Sequence, residues 1–283
     1  MNSDLKKVIL NRVKTALATP AREASIPAME VILLLRALVE LDPSKSEQLY
    51  RHFWSSPTAN DISPVELIQG IALATFPHNL SFGQPWHSAL TKAIDVQQQF
   101  QQQLDPNHTG ILDQVNPSLT SSDLLCLQTL WIRNVEALSR LALSAGLNAD
   151  ELSLELEVLV YETNRQFWLD EAGAYSVWPN TAEVFTPDKV VHYLPLWARI
   201  PDLDQAEDML LQMRAKAAPW VNPAANTWVT ASSVFVYEGL QYYEMHKAAQ
   251  ELKTYLLQHC QNRTNNWLAA CISLAFAASS PVK

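Results

Sequence analysis

Along the chain, apolar residues recur at the three-to-four spacing of helices; the two-residue alternation of half-buried strands is missing. Read with the Pro, Ser, Thr and Asp that punctuate it, this period predicts helices over 3–18, 28–41, 44–55, 64–76, 85–104, 122–145, 149–168, 187–199, 203–217, 229–245, 247–259 and 264–279. The segments fall into two kinds. Residues 28–41 (AMEVILLLRALVEL), 64–76 (PVELIQGIALATF), 229–240 (VTASSVFVYEGL) and 267–278 (WLAACISLAFAA) are apolar or small almost all round, the pattern of a helix without a solvent face. Their neighbours, such as 45–54 (KSEQLYRHFW), 203–216 (LDQAEDMLLQMRAK) and 247–258 (KAAQELKTYLLQ), carry one polar face.

An outer helix thus alternates with an inner one throughout, with short connections. Six antiparallel helical hairpins closed into a ring satisfy that pattern, so the expectation is an all-α (α/α)6 toroid, one domain over 1–283. An open α-solenoid is the competing architecture, but no fixed-period repeat runs through the chain. The segment VQQQFQQQL (96–104) keeps Val96, Phe100 and Leu104 on one stripe and reads as an outer helix, not a linker.

Composition sharpens this picture. Only 6 of 283 residues are glycine, which argues against Gly-rich phosphate loops and against a fold built on many tight turns. A net charge of −9 gives no footprint for nucleic acid, and no segment has the length and apolarity of a membrane span. The amphipathic start MNSDLKKVILNRVKTAL has no secretory pattern, so the expected location is cytoplasmic. Cys126, Cys260 and Cys271 form no disulfide framework, and Cys126 and Cys271, inside apolar helical runs, read as buried thiols. The histidines show no metal-ligand spacing, and no nucleophile elbow is present, so neither metal nor cofactor is expected.

In a ring of hairpins the N-termini of the inner helices gather at one end, where unpaired N–H groups favour anions and ionised carboxylates. The residues placed there are Met29 and Glu30; Asp61 and Glu66; Ser121, Ser122 and Asp123; Asp188 and His192; Asn226, Trp228 and Thr230; and Asn265, Asn266 and Trp267. Carboxylates beside tryptophan suit sugars, because an indole face covers the C–H face of a pyranose while carboxylates bond its hydroxyls. On its residues alone Asp123, at the end of the Thr-Ser-Ser-Asp run of NPSLTSSDLL (116–125), reads first as a helix N-cap. Trp228 and Trp267 read equally as core.

Several stretches resemble the six-hairpin glycosidases, the group that holds mannosylglycerate and glucosylglycerate hydrolases, processing α-glucosidase I and, more distantly, trehalases. FWLDEAGAYSVW (167–178) is similar to their Gly-Tyr turn, YLPLWARIPDLDQAEDMLLQM (193–213) to their Pro-Leu segment, and NTWVTASSVFVYEGLQYYEMHKAAQEL (226–252) to the segment ending in Gly-Leu. EALSRLALSAGLNAD (136–150) and LVELDPSKSEQLYRHF (38–53) resemble earlier hairpins in the same order. The resemblance implies inverting hydrolysis by an Asp acid and a Glu base, and it places the acid at Asp123. It also marks departures. The Glu-Ser-Gly expected before that Asp is Leu-Thr-Ser here, and HCQNRTNNW (259–267) carries no carboxylate where the base is expected. Glu30 or Glu238 would substitute only if the fold brings one about 6.5–9.5 Å from the acid. The early pocket motif is AMEVIL (28–33), and Trp178 and Pro179 stand where an Asp follows the turn.

The expectation is a glycoside hydrolase-like, trehalase-like protein of carbohydrate metabolism, with Asp123 catalytic and Glu30, Asp188, His192, Trp228 and Trp267 binding substrate. Its expected ligand is a small saccharide or glycoside, with no nucleic acid or membrane partner and a protein partner left open. The alternative is a pseudoenzyme that kept the toroid as a sugar- or protein-binding scaffold.

Overall fold

A helix stands at each position that the apolar period indicates, in a computed structural model that describes residues 3–18, 27–54, 66–76, 86–112, 124–179, 189–217, 230–261 and 266–278. In order these are α1 (Ser3–Ala18), α2 (Ala28–Leu41), α3 (Pro43–Trp54), α4 (Gln69–Ala74), α5 (Trp86–Leu104), α6 (Leu124–Ser144), α7 (Asp150–Phe167), α8 (Leu194–Ala198), α9 (Leu203–Gln212), α10 (Ala231–Tyr242), α11 (His246–Gln261) and α12 (Trp267–Ala278). The chain divides into two compact units: unit 1 is Met1–Ser56 with Thr186–Lys283, and unit 2 is Pro57–Phe185.

Burial follows the alternation read from the sequence. In α2 the run Val31 to Leu35 is buried without a break, all five residues of α8 are buried, and α10 is buried from Val234 to Tyr237. In α9, by contrast, only Ala206 and Met209 are buried. Each fully buried Leu or Ile contributes roughly 1.5–3 kcal/mol of transfer free energy, which outweighs helix propensity in holding α2 in place.

Within unit 1, α2 packs on α3 and α12, α1 on α12, and α10 on α8 and α11. Ser46 of α3 is fully buried and donates from Oγ to Leu35 O at 3.2 Å, tying the α2–α3 hairpin. A Cβ on Gly239 would lie 2.6 Å from both the Leu196 carbonyl carbon and the Trp197 nitrogen, so α10 reaches the α8 backbone only because that residue is glycine. Asp202 caps α9 by accepting from Gln205 N, and the Gln205 side chain returns a bond from Asp202 N.

Within unit 2, α6 packs on α4, α5 and α7. Gly70 repeats the close approach: its Cβ would meet Leu138 Cγ at 2.5 Å and Asn134 O at 2.9 Å.

Two departures from the sequence expectation are instructive. The helix expected over 187–199 is a 3-10 turn, Val190–Tyr193, followed by the short α8. Pro195 lacks the N–H that a continuous α-helix would need, so the chain restarts with proline in the first turn and ends in the left-handed conformation at Arg199 (φ 59°). The second is a two-residue antiparallel ladder, β1 (Trp168–Leu169) with β2 (Ala174–Tyr175), paired Trp168 to Tyr175 and Leu169 to Ala174. Its four-residue turn closes on Gly173 (φ 56°), and the Trp168 indole N–H donates to Asp170 at 2.7 Å.

Candidate functional site

Unit 1 brings together part of the set expected at the inner-helix starts. Glu30 stands in the first turn of α2, half-buried, and no described residue hydrogen-bonds its carboxylate. Burial raises its pKa above the ordinary carboxylate range, and the positive charge of Arg12 partly opposes that rise. Arg12 arrives from α1, its guanidinium 5.1 Å from the centre of the Trp267 ring on α12. One turn along α12, burial pushes the Cys271 thiol far up, with the Glu30 charge adding to the rise, which makes it an inert core group. Ser232 of α10 donates to Met29 Sδ at 3.4 Å, joining the first turns of α10 and α2. The starts of α2, α10 and α12 and the side of α1 therefore supply one cluster, with a carboxylate, a guanidinium and an indole at its centre.

The other residues expected there have local roles. Asn266 caps α12, its side-chain oxygen accepting from Leu268 N at 2.9 Å. Thr230 precedes α10 and lies 3.3 Å from Ser233 Oγ. His192 is fully buried in the turn before α8. Asp61, Ser121, Ser122, Asp123, Asp188, Asn226, Trp228 and Asn265 lie outside the described residues, and the Glu66 side chain does too.

Glu238 differs from Glu30 in having both oxygens engaged. Arg36 donates to Oε1 at 2.5 Å and the Trp197 indole N–H to Oε2 at 3.1 Å, locking α2, α8 and α10 together. Beneath the pair, the Phe235 ring lies 5.2 Å from the Arg36 guanidinium and 4.4 Å from the Trp197 ring.

Unit 2 contains the chain leading into and away from Asp123. The helix α6 begins at the next residue, Leu124, and the Leu125 N–H donates to Val177 O at 3.2 Å, fixing that helix start to the segment after β2. Before the segment, Asp105 is buried and accepts from Thr109 N, Thr109 Oγ1 and Gly110 N at 2.7, 2.9 and 2.7 Å. Gln128 completes the brace by accepting from Leu112 N and donating to Gly110 O and Thr163 Oγ1.

Deeper in unit 2, a polar chain crosses the core. Gly70 N donates to Asn134 Oδ1 at 2.6 Å, Asn134 Nδ2 to Gln97 Oε1 at 2.8 Å, and Gln97 Nε2 to Glu155 Oε1 at 2.9 Å. Burial pushes the Glu155 carboxyl up to about 7; the Gln97 amide opposes the rise, and the Asp105 charge adds to it. The Trp131 indole N–H also favours the ionised form, but it falls outside hydrogen-bonding geometry and offsets little of the burial. An open groove of about 560 Å³ along α7, lined by Leu156, Glu157, Val160, Tyr161, Asn164 and Arg165, holds none of the candidate residues.

Arg12 and Glu155 were not among the sequence candidates, although both had a legible signal. Each interrupts an apolar stripe, Ile9-Arg12-Val13-Ala16 in one helix and Leu152-Glu155-Leu159 in the other, so helical spacing alone turns a charged group inward. Among the described residues, no group of three or more His, Cys, Asp or Glu could hold a metal ion, and no helix is long and apolar enough to cross a membrane.

No protein-family model and no curated protein matches the sequence. Solved structures do match. A GH63 mannosylglycerate hydrolase from Thermus thermophilus, in complex with Tris, superposes with a TM-score of 0.72 at 11% identity over 96% of this chain and 100% of that one. The same enzyme in complex with glucose gives 0.68 at 12% identity over 96% and 99%. An uncharacterized conserved protein from the same organism gives 0.64 at 14% identity, covering 87% of this chain and 91% of that one. The fold is therefore the all-α (α/α)6 toroid seen in these structures, shared at 11–14% sequence identity.

Proposed function

We propose that this chain is a glycosidase-like protein that binds or hydrolyses a short α-linked saccharide at the inner-helix starts, and that Asp123 is the general acid. The observation that carries the reading is Glu30. On a glycosidase fold, this half-buried carboxylate keeps its oxygens free of described partners and stands with Trp267 at converging helix starts. Glu30 and Trp267, with Asp188, His192 and Trp228, form the proposed substrate-binding set. If the protein is active, Asp123 protonates the glycosidic oxygen while a second carboxylate, which remains unassigned, activates water on the opposite face of the sugar.

The test is hydrolysis of a panel of α-glucosides and α-mannosides, including trehalose and glycerate glycosides, by wild type and Asp123→Asn. Turnover by the wild type that falls by orders of magnitude in the variant, with an unchanged helical spectrum, supports the assignment; equal turnover by both removes it. A specific observation favours a second reading, a non-catalytic sugar- or protein-binding scaffold: the stretch 259–267 lacks a carboxylate, and both Glu238 oxygens are engaged. Saccharide binding without bond cleavage after prolonged incubation would identify that state.

A further inference from the structure

We propose that Arg12 is a ligand-binding residue and that Arg12 and Glu30 together clamp two neighbouring hydroxyls of a saccharide, the guanidinium donating to one oxygen and the carboxylate accepting from the next. The inference rests on the saccharide reading above and names the chemistry by which that site recognises its ligand.

Three observations carry it. Arg12 forms no hydrogen bond or ion pair with a described residue, although its Nε is sealed from solvent. A guanidinium N–H sealed from water without an acceptor is a cost to the folded chain, set against the contact with Trp267. The second is orientation. The Trp267 ring, 5.1 Å away, holds the planar group in place, and a held arginine loses little freedom when it donates to a ligand. The third is the company it keeps. Glu30 lies within reach of the Arg12 charge, yet no ion pair joins the two.

Opposite charges within electrostatic reach of each other but unjoined select the ligand. An anion drawn to Arg12 meets the Glu30 carboxylate, and a cation drawn to Glu30 meets the guanidinium. A neutral diol satisfies both, because each hydroxyl can donate and accept. The guanidinium covers one face of the indole, so a pyranose bonded to Arg12 approaches from that same side along its hydroxyl-bearing edge.

The experiment is calorimetric and fluorescence titration of the full chain with methyl α-D-glucopyranoside, methyl α-D-mannopyranoside and their monodeoxy analogues. It compares wild type, Arg12→Gln, Arg12→Lys and, as a surface control, Arg51→Gln. The expected result is a loss of at least about tenfold in affinity for Arg12→Gln, and a smaller loss for Arg12→Lys, which keeps the charge without the fork. One deoxy analogue should bind weakly to wild type and lose nothing further in Arg12→Gln. Wild-type affinity in Arg12→Lys, or in a folded Arg12→Gln, overturns the clamp alone. Folded wild type that binds neither glycoside overturns the clamp and the saccharide reading together.

Discussion

Unit 1 holds Glu238 between a guanidinium and an indole N–H, whereas unit 2 holds Glu155 against a neutral amide with the Asp105 charge nearby. The first carboxylate serves as an anion that joins three helices. The second is held up to about 7, so near neutrality it keeps its proton in a large share of molecules. What separates them is burial as well as partner: Glu155 is almost sealed from water, which favours its neutral form, whereas Glu238 is one-third exposed beside a cation.

Removing the titration of Glu155 should have the largest effect. The unfolded chain loses this proton near 4.5, while the native chain keeps it until about 7. Between those values the native state binds more protons, so stability falls as pH rises through the window and the loss is complete above it. Glu155→Gln retains an acceptor for Gln97 and abolishes the loss, so the variant should gain roughly 3 kcal/mol on wild type between pH 4.5 and 8, measured by urea denaturation. Parallel stability curves would show that Glu155 is charged like Glu238.

Next come the glycines. Gly239→Ala presses on α8 backbone that cannot yield and should cost about 2–3 kcal/mol, whereas Gly70→Ala meets the Leu138 side chain as well as Asn134 O and should cost about 1–2 kcal/mol. Equal losses in thermal unfolding would erase this difference between the units. The smallest effect belongs to Glu238→Gln. Its ion pair is about one-third exposed (31% and 34%). Solvent screens it, so the loss should be about 0.5–1 kcal/mol and should shrink as salt is raised from low to high concentration.

The contrast also shows what the sequence could disclose. Inner helices such as AMEVILLLRALVEL were legible because burial of most of their surface leaves few positions for polar residues. Shortening of α8 was legible in principle from Pro195, which the periodicity masked. The clusters were not. Arg36 meets Glu238 across 202 residues of chain, and Arg12 meets Trp267 from near the opposite end; no local pattern records such a pairing. Glu30 was singled out because a helix start is a local feature; the Ile9-Val13-Ala16 stripe records that Arg12 turns inward but not which residue it meets.

The split of unit 1 between Met1–Ser56 and Thr186–Lys283 has a consequence for biosynthesis. When α2 leaves the ribosome, its partners α10 and α12 have not yet been made, and its nearly all-apolar surface must wait for more than two hundred residues to follow. Unit 2 is uninterrupted in sequence and has all its helices much earlier. Translation therefore leaves α2 as the most apolar segment kept waiting, the one that a chaperone would shield and that a pause late in the message would endanger most.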